Sequence, residues 1–360
     1  MRGPGLADCP RPGPGQPCVE ECVRSETQRE MSPGEVADLV CRALGTPQRV
    51  LAATELRGGG FAAVWRVDLD GGRTVVFKAA PPPGVRLLSY ETGLLAVESH
   101  YFQRVRREAP GVPVPEVLHY EIDPDQSGGG DWMVMTFLPG TVLYELQQTA
   151  PPQELARVRR DLGAALARLH TLEGPEFGYP GEGRRRGGSW RAVFLGIVAD
   201  LLEDADRLGS VLPVPADEIL RVLDRAAPVL DEVRSPRLVH FDLWDGNILA
   251  RQGSSSVLRL SGLVDGERCL YGDPLVDFVS SDLFGALETQ PEHPVLTGYA
   301  ETAGWTEPLT EAARARIRLY RAWLYLVMNV EIPTRAGIDA EQQRQRAELL
   351  TGALAAVAGR

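Results

Sequence analysis

This chain of 360 residues lacks long apolar runs, and its N-terminus lacks the apolar core of a signal peptide. No stretch approaches the ~20 apolar residues that a membrane-spanning helix needs. Positive charge is also in deficit, because the net charge is −11. A nucleic-acid-binding surface is normally basic, so that class of partner is excluded. We therefore predict a cytoplasmic protein with no membrane and no nucleic-acid partner.

Cysteine is scarce, and the five cysteines are too scattered for a disulfide framework. Cys9, Cys18 and Cys22 lie near one another, which leaves a metal site as one interpretation. No fourth ligand follows at the spacing of a zinc finger, so the pattern argues against it. Cys269 has no histidine arranged beside it and is predicted to be a small packed residue.

Lysine is nearly absent, because 38 residues are Lys or Arg and Lys78 is the single lysine. A chain that uses Arg for almost every positive charge retains Lys where a guanidinium does not serve. A compact ammonium that binds phosphate oxygens as a point charge is one such case. Chance retention is the alternative, and the sequence around Lys78 argues against it.

Residues 1–32 are rich in Gly and Pro without periodicity, which predicts a disordered leader. Ser32 and Pro33 are typical of a helix N-cap and first helical position. We hypothesise that the functional protein begins near Met31. Residues 33–138 are predicted to form an N-terminal lobe and residues 139–360 a mostly helical C-terminal lobe.

The N-terminal lobe is predicted to be a five-stranded antiparallel sheet with one inserted helix, which makes the fold class α+β. The predicted strands are 50–56, 61–69, 74–79, 117–120 and 132–137, and the helix is 87–107. Lys78 then lies on the third strand, and the inserted helix follows it.

A glycine-rich hairpin precedes Lys78 by about 20 residues. It is formed by Gly58, Gly59 and Gly60. Glycines let the backbone approach phosphates closely, and a lysine on the next strand is typical of a kinase nucleotide site. Glu98 is the preferred partner for the Lys78 ammonium, with Glu91 as the competing candidate on the same predicted helix.

Residues 238–249 contain His240, Asp242, Leu243 and Asn247 at kinase spacing, and Asp265 follows 23 residues after Asp242. This pattern predicts a phosphoryl-transfer centre. Asp242 is the candidate catalytic residue, which accepts or orients the proton of an acceptor hydroxyl. Asn247 and Asp265 are the candidate oxygen ligands of Mg²⁺.

Three further residues are predicted to support this centre rather than to react. His240 is expected to hydrogen-bond the backbone near Asp265. Asp273 is expected to cap a helix whose first residue is Pro274. Asp277 is expected to brace the catalytic loop.

These residues resemble the aminoglycoside phosphotransferase family of small-molecule kinases, which includes choline and fructosamine kinase relatives. The resemblance extends over nearly all of residues 35–330. Besides the residues named above, 112–115, 135–140, His170 and 272–277 carry it. The resemblance implies a bilobal protein-kinase-like fold with ATP or GTP bound between the lobes. Separately, we predict a monomer or weak dimer. It also implies that the backbone at Thr136, Phe137 and Leu138 contacts the purine.

The chain departs from the protein-kinase pattern at Phe241, where that pattern has Arg, and it has no activation segment after Asp265. Both differences argue for a small-molecule acceptor. Trp244 and Glu331 are possible acceptor-binding residues, and the acidic stretch 200–232 is compatible with a cationic acceptor or with a solvated surface.

The leading interpretation is an O-phosphotransferase that modifies an antibiotic for resistance or self-protection. A metabolic kinase for an amino alcohol, a sugar or a glycated amine is the alternative. A nucleotide-binding pseudokinase and a metal hydrolase built on His240, Asp242 and Asp265 are the rivals from other classes.

Overall fold

The computed structural model describes residues 24–45, 48–56, 60–123, 130–181, 183–253, 257–306 and 309–359. Its first elements build a sheet with two helices. They are α1 (Pro33–Leu44), β1 (Val50–Glu55), β2 (Ala63–Leu69), β3 (Thr74–Ala79), α2 (Leu94–Glu108), β4 (Val117–Glu121) and β5 (Trp132–Thr136). The strand order is β1-β2-β3-β5-β4, and all neighbours are antiparallel. The predicted five-stranded sheet is therefore confirmed.

The central strand β3 has side chains that alternate between the two faces of the sheet. Val75 and Phe77 pack with α1 in an outer core, whereas Val76 belongs to the core shared with the helices that follow. Lys78 lies on the same face as Val76, paired between Val64 of β2 and Met133 of β5. The two-residue period thus directs the single lysine toward the C-terminal part of the chain.

The predicted helix 87–107 begins later than expected. Gly93 adopts a left-handed conformation as the N-cap of α2, and Ser89–Glu91 forms a separate 3-10 turn. Placing Glu91 on the same helix as Glu98 was therefore wrong. The reason is local, because a residue with positive φ cannot continue a right-handed helix.

The remaining elements form a mostly helical C-terminal part. They are β6 (Thr141–Val142), α3 (Leu143–Leu146), α4 (Pro152–Leu169), β7 (Phe177–Gly178), β8 (Arg186–Gly187), α5 (Trp190–Leu208), α6 (Ala216–Ala226), β9 (Arg237–Val239), β10 (Ile248–Gln252), β11 (Leu258–Leu263), β12 (Leu270–Gly272), α7 (Leu275–Ser280), α8 (Pro294–Ala303), α9 (Glu311–Val330) and α10 (Ala340–Val357). The α+β class is confirmed. Among the described helices, none is long and apolar enough to cross a membrane.

Two glycines allow α4 and α8 to approach each other closely. A Cβ on Gly163 would lie 2.0 Å from the carbonyl oxygen of Val295, and one on Gly298 would lie 1.9 Å from that of Arg160. Both distances are below any real contact, so side chains at these positions would force the helices apart. The close packing fixes α4, which in turn contacts β11.

The prediction of a disordered leader through residue 32 is wrong for its last residues, and residues 1–23 lie outside the described chain. Ser32 caps α1 with a capping box, and Pro33 is its first residue, as predicted. Upstream of this cap, the Thr27 hydroxyl donates to the Gly60 carbonyl at 3.2 Å, and Arg24 pairs with Glu55 at 2.6 Å. Both contacts tie the segment to the folded protein.

Deleting residues 2–30 should therefore lower the free energy of unfolding by about 1–3 kcal/mol relative to deleting residues 2–23, because hydrogen bonds of Ser25 and Thr27 are lost. Chemical denaturation of the two truncated proteins measures this difference. Equal stability and equal activity of both proteins would contradict the expectation and support a functional start near Met31.

Candidate active site

Lys78 lies at the centre of a cluster of acidic side chains. Its Nζ is 2.7 Å from Glu98 Oε2, 2.6 Å from Asp265 Oδ1 and 2.8 Å from Glu267 Oε2. Strand β3 supplies Lys78, α2 supplies Glu98, and the turn after β11 supplies the other two. The structure thus places Glu98, and not Glu91, beside the lysine, and the cluster joins the sheet to the C-terminal part.

The cluster carries more negative than positive charge, and Lys78 and Glu98 are only 3% and 1% exposed. Desolvation works to lower the pKa of Lys78, but the three carboxylates outweigh it and raise that pKa. Burial raises the pKa of Glu98 to about 8 and that of Glu267 to about 6, although Lys78 opposes both shifts. Desolvation also works to raise the pKa of Asp265, but the ammonium outweighs it and lowers that pKa.

This excess of carboxylates fits a divalent cation. Glu98, Asp265 and Glu267 each offer an oxygen, and these oxygens lie within 4.8 Å of one another. Mg²⁺ prefers such hard oxygen ligands. Residues that would hold it are therefore present, with Glu267 added to the predicted Asp265.

Asn247, the other predicted ligand, lies beside this cluster. Its backbone carbonyl accepts the Val264 N–H at 3.1 Å, immediately before Asp265. Its side-chain Nδ2 donates to the Asp242 carbonyl at 2.8 Å and to the Asp242 carboxylate at 3.2 Å. The amide oxygen is then the atom that can bind a cation.

The catalytic loop is held by two of the predicted support residues. The Asp277 carboxylate accepts the backbone N–H groups of His240 at 3.0 Å and Phe241 at 2.7 Å. His240 Nε2 contacts the Val264 carbonyl at 3.0 Å, and its Nδ1 accepts the Asp242 N–H at 3.3 Å. Burial lowers the pKa of His240, which suits a neutral ring that donates on one side and accepts on the other.

Asp273 supports the same region by capping the start of α7, as predicted. Its Oδ1 accepts the N–H of Leu275, the first residue of α7, at 3.1 Å. Pro274 already has helical dihedral angles, with φ −46° and ψ −30°, so the Asp273 side chain caps this helix start. The Asp273 Oδ2 accepts from Arg316 and Tyr320 of α9 at 2.9 and 2.8 Å.

The candidate base Asp242 is partly buried, with 22% of its side chain exposed. Burial raises its pKa to about 6, and the Arg268 guanidinium, whose Nε lies 4.0 Å from its carboxylate, opposes the shift. A carboxylate with this pKa is ionised at neutral pH and is still basic enough to accept a proton.

The residues predicted to bind the nucleotide fall into two groups. Gly58 and Gly59 lie outside the described residues, whereas Gly60 follows them and precedes β2. Thr136 ends β5, and Phe137 and Leu138 form the connection to the C-terminal part. The Arg66 guanidinium of β2 lies 5.0 Å from the centre of the Phe137 ring. Their contact with a purine stays a prediction.

The proposed acceptor role of Glu331 is not supported by its surroundings. Its carboxylate pairs with Arg268 at 3.0 Å, Arg335 at 3.2 Å and Arg346 at 3.4 Å. Burial works to raise its pKa, but these guanidinium groups lower the pKa to about 2. A carboxylate already matched by three guanidinium groups offers little unmatched charge to a cationic acceptor, and an acceptor role for Glu331 stays a prediction.

Trp244 packs its ring edge against Tyr144, with centroids 6.1 Å apart. It also leaves no room for a side chain at Gly246, where a Cβ would lie 2.2 Å from the indole. Trp244 is half-buried in the catalytic loop. An acceptor role for it stays a prediction.

Glu267 and Arg268 are functional candidates that the sequence analysis did not select. They lie two and three residues after Asp265, in a turn that begins at Gly266 and whose residues are mostly buried. Charged residues next to a predicted metal ligand are the signal that was present, but their partners lie far away in the sequence. Lys78 and Glu331 are separated from them by 189 and 63 residues.

Comparison with known proteins identifies the fold. Of solved structures, the chain resembles a putative fructosamine-3-kinase from Thermobifida fusca, with a TM-score of 0.63 and 22% identity, over 90% of this chain and 99% of the other. It also resembles an aminoglycoside phosphotransferase APH(4)-Ia in complex with AMP-PNP and hygromycin B, with a TM-score of 0.57 and 18% identity, over 90% and 98% of the two chains. These likenesses confirm the bilobal, protein-kinase-like fold.

Among curated proteins, a probable ketoamine kinase from Enterococcus faecium is 27% identical over 161 residues. The match covers 42% of this chain and 56% of that relative, so the chain spans about half of its length. The model of the phosphotransferase enzyme family matches residues 53–323. This range contains Lys78, Glu98, Asp242, Asn247 and Asp265, and the chain therefore belongs to the phosphotransferase enzyme family.

Proposed function

We propose that this protein is an O-phosphotransferase that transfers the γ-phosphoryl group of ATP or GTP to a hydroxyl of a small molecule. The observation that carries the proposal is the convergence of Asp242, Asn247 and the Lys78 cluster from both parts of the chain. ATP is the favoured donor, since solved structures of similar fold contain ATP or AMP-PNP. We also propose a cytoplasmic monomer or weak dimer.

In the proposed reaction Lys78 holds the α- and β-phosphates, and Glu98 fixes the position of its ammonium. Asp242 accepts the proton of the acceptor hydroxyl as the acceptor oxygen bonds to the γ-phosphorus. The bond from the γ-phosphorus to the bridging oxygen breaks, and the nucleoside diphosphate leaves. Mg²⁺ held by Asn247, Asp265 and Glu267 would neutralise charge on the phosphate oxygens.

The acidic stretch 200–232 helps to rank the acceptors, because many of its carboxylates are matched by arginine. The ion pairs are Asp200–Arg185, Asp204–Arg207, Asp217–Arg221, Asp231–Arg191 and Glu232–Arg316. A site for a polycation would need unmatched carboxylates. We therefore favour an acceptor molecule of low net charge, such as a ketoamine, over a polycationic aminoglycoside.

An antibiotic acceptor remains the second candidate. It is supported by the likeness of the fold to aminoglycoside phosphotransferases crystallised with hygromycin B and streptomycin. The two candidates are different acceptor molecules, so one phosphorylation assay with both kinds of acceptor separates them.

The test is a phosphorylation assay of the purified full chain with MgATP or MgGTP. Fructosyl-lysine, fructosyl-glycine, choline, hygromycin B and streptomycin are the acceptors, and mass spectrometry detects an added phosphoryl group. We expect the ketoamines to be phosphorylated. Phosphorylation of the antibiotics alone would select the second candidate. A hydrolysed acceptor, or nucleotide binding without turnover, would overturn the proposal in favour of a hydrolase or a pseudokinase.

Replacing Glu331 with Gln should leave the KM for the acceptor unchanged but lower the free energy of unfolding by about 3 kcal/mol, since three buried guanidinium groups lose their shared carboxylate. Thermal unfolding and steady-state kinetics measure the two effects. The control is Glu341→Gln on α10, whose exposed carboxylate pairs with Arg344. It should change stability by less than about 0.5 kcal/mol. A higher acceptor KM in Glu331→Gln would return that residue to the acceptor site.

A further inference from the structure

Phe241, the residue immediately before Asp242, has an unusual backbone conformation. Its φ is +65°, and Asp265 is the other non-glycine residue with positive φ in the described part of the chain. The left-handed region is accessible to Asp because its short side chain can form local hydrogen bonds. A bulky aromatic residue gains nothing comparable there, so something else must hold Phe241 in this conformation.

Two contacts hold it, one on the backbone and one on the ring. The Phe241 N–H donates to Asp277 Oδ1 at 2.7 Å. The Phe241 ring stacks on Trp323 with centroids 4.1 Å apart and planes inclined by 18°. The two rings are 2% and 0% exposed. The first contact needs no particular side chain at position 241, whereas the second depends on an aromatic ring.

Trp323 is itself part of a rigid aromatic group. It lies on α9, and its ring makes edge contacts with Phe194 at 5.6 Å and Trp190 at 6.4 Å, both on α5. One turn away on the same helix, the Tyr320 hydroxyl accepts from Trp190 Nε1 at 2.8 Å and donates to Asp273. The indole is therefore a fixed surface on which the ring of the catalytic loop rests.

We propose that Phe241 and Trp323 are positioning residues, whose stacked rings hold the peptide before Asp242 in its left-handed conformation and so aim the Asp242 carboxylate. This inference rests on the proposed function, in which Asp242 accepts the acceptor proton. The direction of that carboxylate depends on the peptide that precedes it, which the ring stack and the Asp277 bond fix from two sides. Both rings are buried among protein side chains, so the role assigned to them acts through the loop and not through a contact with the substrate.

The inference separates Phe241 from an ordinary core residue, and Phe194 provides the comparison. Both rings are buried and both contact Trp323, but Phe194 lies on α5 and is not connected to the catalytic loop. If Phe241 only fills space, then trimming either ring affects stability alone. If it positions Asp242, then trimming Phe241 also lowers kcat.

The experiment compares Phe241→Ala, Phe241→Leu and Phe194→Leu in the full chain, since glycine at position 241 would adopt the positive φ without help from a ring. Rates are measured with MgATP and fructosyl-lysine and with MgATP alone, alongside Tm and the Kd for ATP. We expect kcat to fall about 10²-fold in Phe241→Ala, because a misdirected base costs about this much, while the ATP Kd is retained. Phe194→Leu removes a ring one contact further from the loop, so it should lower Tm and change kcat by less than about threefold. If Phe241→Ala does not fold, Phe241→Leu is expected to show at least a tenfold loss.

A wild-type kcat in folded Phe241→Ala or Phe241→Leu would overturn the inference. So would a kcat loss in Phe194→Leu as large as that in the Phe241 variants. Asp242→Asn measured in parallel separates this failure from failure of the proposed function. If Asp242→Asn loses turnover and the Phe241 variants do not, then only the positioning role is wrong. If the wild-type protein turns over neither mixture, or Asp242→Asn remains active, then both are wrong.

Discussion

Replacing Asp242 with Asn is expected to lower the rate of phosphoryl transfer by about 10²–10⁴-fold, the range that a positioned general base contributes. The substitution preserves the shape of the side chain but removes its capacity to accept a proton. Lys78, Glu98 and Asp265 are unaffected, so the Kd for ATP should stay near the wild-type value. Single-turnover kinetics and equilibrium nucleotide binding measure the two quantities separately.

Asp245 provides the matched control for this experiment, because it lies in the same loop. Its carboxylate pairs with Arg159 of α4 at 2.7 Å instead of facing the Lys78 cluster. Asp245→Asn should therefore affect Tm more than kcat. Near-normal turnover in Asp242→Asn would refute the assignment of the base, and an equal kcat loss in both variants would show that the loop, rather than one carboxylate, is sensitive.

The parts of the site that could be predicted from the sequence are those fixed by short-range patterns. The alternation along β3 determines the face on which Lys78 lies, and the spacing of His240, Asp242 and Asn247 within one loop keeps them together. Asp265 follows at the end of the next strand, β11, which pairs directly with β10. Each of these relations depends on local geometry, so composition and spacing were sufficient to predict it.

The parts that were missed depend on contacts between distant segments. The ion pair of Glu331 with Arg268 was not predicted, because Arg268 lies 63 residues before it in the chain and no local pattern reveals that pair. The position of Glu91 depended on one glycine, since Gly93 takes a positive φ and ends the preceding turn before α2 begins. Residues 24–30 were assigned to the leader because their partners, Glu55, Gly60 and Thr334, belong to other elements.

The largest expected change in stability is that of Lys78→Met. Removing the ammonium leaves Glu98, Asp265 and Glu267 without the cation that each contacts within 2.8 Å. Breaking a buried ion pair from one side typically costs about 3–5 kcal/mol, because the remaining charge stays desolvated. We expect a loss of this size in chemical denaturation without Mg²⁺, together with loss of phosphoryl transfer.

Removing a carboxylate as well distinguishes this explanation from a simple packing defect. In Lys78→Met/Glu98→Gln, the charge that was left unpaired is partly removed, so the double variant should be more stable than Lys78→Met alone. A packing defect predicts the opposite, because each substitution would then add its own cost. Lys78→Arg is a second comparison, and it should also be less stable than the wild-type protein. A planar guanidinium does not fit where a compact ammonium contacts three carboxylates at 2.6–2.8 Å.

The same charge argument gives Lys78→Met a defined pH dependence. Burial already raises the pKa of Glu98 to about 8 in the wild-type protein, above its ordinary value of 4.5. Without the ammonium this pKa rises further, so the folded variant binds a proton that the unfolded chain releases at neutral pH. A raised folded-state pKa stabilises the folded form at low pH, and that contribution is lost as the pH rises through it. The stability gap between wild type and Lys78→Met should therefore be smaller at pH 6 than at pH 9, and a gap that is constant with pH would show that unpaired carboxylates are not its cause.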